Sequence, residues 1–74
     1  MQNAALLEPK ATPRLIDINE VKAQVGAKSD ATIYQWIKSR NFPRPVNTGK
    51  RFARWVESEV SAWILARIHE RDAA

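Results

Sequence analysis

Gly26 and Ser29 stand three positions apart between two short stretches of helical pattern, and that spacing limits the fold more than any other feature. Before it, Val21 and Val25 lie one turn apart on one face. Asp17 and Glu20 have capping-box spacing, with Asp in the cap role. Gly26 supplies the left-handed residue that ends a helix at little cost. After a tight turn through Ala27-Lys28, Ser29 is placed to cap a second helix. Ile33 and Ile37, flanked by Trp36, form the buried stripe of that helix. Ala31, Tyr34, Gln35 and Lys38 face the opposite way, with Thr32 at the edge. Asn41 can end the helix, and Pro43 and Pro45 forbid its continuation. Two helices joined by a turn this short make a helix-turn-helix.

The flanks complete the layout. Residues 1–13 read as a flexible arm, with Pro9 and Pro13 bracketing a stretch without period. One ordered domain is expected over 14–72, opening on an extended lead-in at Arg14-Leu15-Ile16. Val46 to Trp55 reads as a small hairpin, with Asn47, Thr48 and Gly49 at the turn. Alternation puts Ala53 and Trp55 on one face and Phe52 and Arg54 on the other; it leaves open whether Phe52 is core or surface. A last helix begins near 56–58, where Glu57 and Glu59 suit the helix dipole. Val60, Trp63, Ile64 and Ile68 follow as a broad apolar face, and Leu65 projects off that stripe. The expected fold is therefore mostly α with a small β-hairpin, a winged helix-turn-helix.

A chain of 74 residues makes one domain at most. A core this small rarely supplies more than roughly 3–5 kcal/mol. With no cysteine to staple it, stability rests on packing, and Trp36, Trp55 and Trp63 are read as core residues. No apolar run approaches the ~18 residues of a membrane span, and the first residues lack the pattern of a signal peptide. A soluble, cytoplasmic protein is expected, with no membrane, cofactor or small-molecule ligand.

Charge points to the partner. Lys28 to Arg54 holds seven basic residues and one acidic, a net +6, whereas residues 1–27 are neutral and 55–74 carry −2. A positive field beside a helix of small, hydroxyl and amide side chains suits a nucleic-acid duplex. Catalysis has no comparable support. His69 has no cysteine or carboxylate cluster at metal-ligand spacing, no Ser-His-Asp set is evident, and Gly49-Lys50-Arg51 is not a phosphate loop. The chain does not read as an enzyme.

Several segments in order resemble the AlpA family of phage regulators. They are Arg14-Leu-Ile, Glu20-Val21, Thr32-Ile-Tyr-Gln-Trp-Ile-Lys38, Phe42-Pro-Arg-Pro-Val46 and Arg54-Trp-Val-Glu-Ser-Glu-Val-Ser-Ala-Trp-Ile64. That family is related to the excisionases and to the DNA-binding domain of MerR-type activators. The resemblance implies DNA binding on phages, prophages or integrative elements. Carried onto this chain, it places the recognition helix at 29–39 and the wing at 46–55. The chain departs from the family at Asp30, an acid where a neutral or basic residue is expected. Asp30 repels phosphate unless Lys28 or Arg40 offsets it, or it accepts from a cytosine amino group.

The candidate contacts follow. Gln35 suits adenine, and Lys38 suits guanine or phosphate. Lys28, Ser29, Ala31, Thr32 and Tyr34 complete the recognition-helix set; Thr32 can donate to phosphate or touch a thymine methyl, and Tyr34 can instead pack against the wing. The link and wing contribute Arg40, Arg44, Asn47, Thr48, Lys50, Arg51 and Arg54, although Arg54 can also stack on an aromatic or pair with Glu57. The bland alternative for each is an ordinary solvated surface. A transcriptional regulator and an architectural excisionase both fit, and a protein-interaction module for an acidic partner uses the same surface. Partners of the DNA-bound form include a second copy through the last helix, integrase or RNA polymerase.

Overall fold

The computed structural model describes residues 12–46 and 52–73. Three helices and two short strands occur among them: β1 Leu15–Ile16, α1 Ile18–Val25, α2 Asp30–Ser39, β2 Trp55–Val56 and α3 Glu57–Ala73. The arrangement is mostly helical with a small antiparallel strand pair, the layout of a winged helix-turn-helix.

Local signals set the helix ends. Asp17 is the N-cap of α1, and its side chain accepts from the Glu20 N–H at 2.9 Å. Gly26 ends that helix in the left-handed region at φ 78°, and the Gly26 and Ala27 N–H groups both donate to the Lys22 carbonyl. Ser29 caps α2 by accepting from the Thr32 N–H at 3.2 Å. At the far end Arg40 is the cap, and Asn41 takes φ 60°. Asn tolerates that region better than most residues, which turns the chain sharply ahead of the prolines.

The lead-in does more than lead in. β1 pairs antiparallel with β2, Leu15 opposite Val56 and Ile16 opposite Trp55. The Arg14 carbonyl accepts from the Glu57 N–H at 2.8 Å, extending that pairing into the start of α3. The expected hairpin is present at its base as an isolated bridge between Val46 and Arg54; its tip, and residues 1–11 of the arm expected at 1–13, lie outside the described residues.

Four side chains are fully buried, and each comes from a different element: Val21 (α1), Ile33 (α2), Trp55 (β2) and Val60 (α3). Ile16 from β1 and Phe42 from the link after α2 complete the core. Trp36, Ile37, Trp63 and Ile64 pack against it while half-buried. Alternation around β2 holds, with Trp55 buried and Phe52 56% exposed, so Phe52 is a surface aromatic. The apolar face of α3 is narrower than its spacing suggests. Ile68 is 39% exposed because the helix outruns the core, and Leu65, off the stripe, is 56% exposed.

Two substitutions separate backbone from packing effects. A Cβ on Gly26 meets nothing within 4 Å, so Gly26→Ala costs only the left-handed conformation, about 1 kcal/mol. Ile33→Ala costs about 2–5 kcal/mol, enough to unfold most of a domain this small. Urea titrations followed by circular dichroism are expected to show a lowered midpoint for the first and loss of the folded baseline for the second.

Candidate nucleic-acid interface

The outward face of α2 is the one its periodicity predicts. Ala31, Tyr34, Gln35 and Lys38 are exposed, Thr32 is half-buried, and Ile33 is sealed beneath them. Lys28 and Ser29 precede the helix and are exposed, and Arg40 and Arg44 follow it and are exposed. Both hydroxyls at the start of the helix already have local partners. Ser29 Oγ accepts from the Thr32 backbone and shares a 3.0 Å hydrogen bond with Thr32 Oγ1. Each keeps unused hydrogen-bonding capacity. Tyr34 settles between its two readings: its ring tilts against Trp55 at 6.1 Å between centroids, yet the residue stays 44% exposed.

Asp30 is offset, but by neither residue expected. Lys22 Nζ sits 2.7 Å from its Oδ1, reaching from the last turn of α1 across the turn to the first turn of α2. Lys28 and Arg40 play no part in the pair. The pair also ties the two helices together, with Lys22 mostly covered and Asp30 open to solvent, where solvent screening holds the gain to about 0–1 kcal/mol.

Of the alternatives open to Arg54, pairing with Glu57 is not the one observed. Glu57 is occupied by Arg14 at 3.1 Å and by Gln24 Nε2 at 3.1 Å. The Arg54 guanidinium instead donates to the neighbouring Ala53 carbonyl at 3.0 Å. Asn47, Thr48, Lys50 and Arg51 of the expected wing tip lie outside the described residues.

Ion pairing divides the basic residues into two groups. Arg14, Lys22, Arg67 and Arg71 each pair with a carboxylate: Glu57, Asp30, Glu70 and Asp72. Lys28, Lys38, Arg40, Arg44 and Arg54 pair with none among the described residues. The uncompensated cations therefore all belong to α2, the turn before it, the link after it and the base of the wing.

The link is held by aromatic contacts that periodicity does not reveal. Phe42 inserts edge-on to Trp63 at 4.9 Å and tilts against Trp36 at 6.2 Å; Trp36 and Trp63 stack at 5.5 Å. The signal for Phe42 was local: an apolar residue just past a left-handed helix cap commonly packs back onto the last turn. Arg67 covers the Trp63 ring at 4.9 Å, one turn further along the same helix. Among the described residues no group of three His, Cys, Asp or Glu side chains gathers as a metal site, and no helix is long and apolar enough to cross a membrane.

A helix-turn-helix backed by a strand pair and a closing helix, with its charge left open on one side, defines a winged-helix regulator layout. The family model described as prophage CP4-57 regulatory protein (AlpA) matches residues 14–68, and the chain belongs to that family of phage regulatory proteins. Enterobacteria phage P4 encodes a similar protein, titled uncharacterized protein ORF88, 38% identical over 58 residues. The match covers 78% of this chain and 65% of that protein. No solved structure gives a significant match.

The capping and surface roles on α2 separate experimentally. Ser29→Ala removes the N-cap and lowers stability by about 1 kcal/mol. Gln35→Ala, on the exposed face, leaves stability within about 0.5 kcal/mol of the parent. Thermal melts of the two variants are the measurement.

Proposed function

We propose that this chain binds double-stranded DNA with sequence preference and acts inside the bacterial cell as a transcriptional regulator of a phage, prophage or integrative element. The observation that carries this reading is the division of the cations. Every described basic residue away from α2 and its flanks is neutralised by a carboxylate, while those around α2 are open to an external polyanion. Counter-charge from phosphates is what such a surface accommodates.

In this reading α2 lies in the major groove, which is about 12 Å wide and admits one helix. Gln35 and Lys38 read base edges, with Gln35 suited to adenine and Lys38 to guanine. Ala31 and the Thr32 methyl approach thymine methyls. Lys28, Arg40 and Arg44 hold phosphates on either side of the helix and fix its register. Tyr34, resting on Trp55, is placed to donate its hydroxyl to the backbone. Arg54, with Asn47, Thr48, Lys50 and Arg51 of the wing, follows the adjacent minor groove.

Selection of bound sequences from a random duplex pool, followed by affinity titration over salt, tests this. A recovered consensus that competes better than random duplex is expected. Affinity is expected to fall with salt at about 0.9 log unit per phosphate contact. Arg44→Ala should weaken specific and random duplex alike and reduce the salt slope by about 1. Gln35→Ala should relax preference at one base pair by about 1–3 kcal/mol. Equal competition by specific and random DNA sinks the reading and favours an acidic protein partner. Footprints in a tandem array beside an attachment site, instead of one site at a promoter, reassign the role to an architectural factor.

A further inference from the structure

The segment from Arg40 to Arg44 lacks regular secondary structure, yet its backbone is pinned at both ends by indole N–H groups. Trp63 Nε1 donates to the Arg40 carbonyl at 3.1 Å, and Trp55 Nε1 donates to the Pro43 carbonyl at 3.0 Å. On the other side, the Arg40 and Phe42 N–H groups donate to the Trp36 carbonyl at 2.8 and 3.2 Å. Between the two indoles, Phe42 is 3% exposed. The link is therefore held at four backbone groups and one ring. The side chains it leaves in solvent are Arg40, Asn41 and Arg44, and the two charged ones are Arg40 and Arg44.

Burial of Phe42 explains why a ring is there. It does not explain the Trp63 hydrogen bond, because an indole at a surface-accessible site can satisfy its N–H with water, whereas the buried Trp55 has only the Pro43 carbonyl. The Trp63 bond fixes the carbonyl plane of Arg40, and with it the direction in which the side chain leaves the backbone; the Trp55 bond fixes the peptide plane that leads into Arg44. Trp63 is itself immobilised by its stack on Trp36 and by Arg67 over its face. A guanidinium starting from a fixed Cα loses less freedom on meeting a phosphate than one on a mobile loop.

We propose that Trp63 is a positioning residue for DNA binding: its indole N–H orients the link so that Arg40 meets the phosphate beside α2, and Trp55 does the same for Arg44 one step further on. The closing helix thereby takes part in recognition without touching the duplex. This inference rests on the DNA-binding reading above.

The test compares the full-length protein with Trp63→Phe, Arg40→Ala and the double variant, on the selected duplex at several salt concentrations. Trp63→Phe keeps an aromatic ring on Trp36 and removes only the donor and one ring of the bicycle. Loss of one positioned contact is expected to cost about fivefold in affinity and to lower the salt slope by about 1. The double variant should bind no more weakly than Arg40→Ala alone, because the indole acts through that arginine. Replacing Trp63 with 3-benzothienylalanine, which has sulfur where indole has N–H, removes the donor at nearly constant shape and gives the same readouts if Phe destabilises the fold. A purely structural role lowers the melting temperature and leaves the salt slope and the Arg40 coupling unmoved; that result, or additive losses in the double variant, overturns the proposal. Parent protein that binds no duplex at all overturns the DNA-binding reading instead.

Discussion

Trp55 is where the separate pieces of this molecule meet. Its backbone pairs with Ile16 of the lead-in strand, its ring lies fully buried against Tyr34 of α2, and its indole N–H reaches the Pro43 carbonyl of the link. The N-terminal strand, the second helix and the link all meet at this one residue, the strand through its backbone and the other two through its side chain. Among the described residues the fully buried members of the core number four, one from each of four elements, and Trp55 is one of them. The large apolar area of tryptophan supplies the burial, and its single polar atom is used where it would otherwise be an unsatisfied donor. The candidate interface inherits its geometry from this arrangement. The outward face of α2 is outward because Ile33 on its opposite face packs into the same cluster as Trp55.

Electrostatics is organised on the same frame. The ends of the chain carry carboxylates that stay close to their own cations, and the middle carries cations without such partners. Asp30 is the instructive exception. As the one acid within the basic stretch it has the opposite sign to the field, but Lys22 lies against it, which leaves Lys28 as the open charge at the start of α2. Three more open cations, Lys38, Arg40 and Arg44, stand at or just beyond the far end of that helix. Field strength and orientation are thus set by where carboxylates sit as much as by where cations do.

Much of this was legible in the residues because the strongest signals are local. Asp17, Gly26, Ser29 and Asn41 announce helix ends through interactions spanning a few positions. The exposed set of Ala31, Tyr34, Gln35 and Lys38 follows from one helical period. The family membership was legible from segments such as Thr32-Ile-Tyr and Phe42-Pro-Arg-Pro-Val46. The rest depends on how elements pack. The partner of Leu15–Ile16 is a strand near the other end of the domain, and no period connects the two. Lys22 finds Asp30, and Arg14 takes Glu57, one of the partners open to Arg54, through a relative placement of elements that charge spacing does not encode. The indole bonds to Arg40 and Pro43 are of the same kind. Phe42 is the intermediate case, since its burial could have been read from the cap that precedes it.

The pairing of Leu15–Ile16 with Trp55–Val56 has a consequence for how the chain reaches this state. The helix-turn-helix lies between the paired strands, so α1 and α2 can form and dock through contacts close in sequence. Aligning the strands closes a loop containing both helices, the link and the wing, and the entropy of that closure is lost before the strand contacts compensate it. The surface of α2 can thus take shape early, while the seat of its flanking arginines waits for the chain to come full circle.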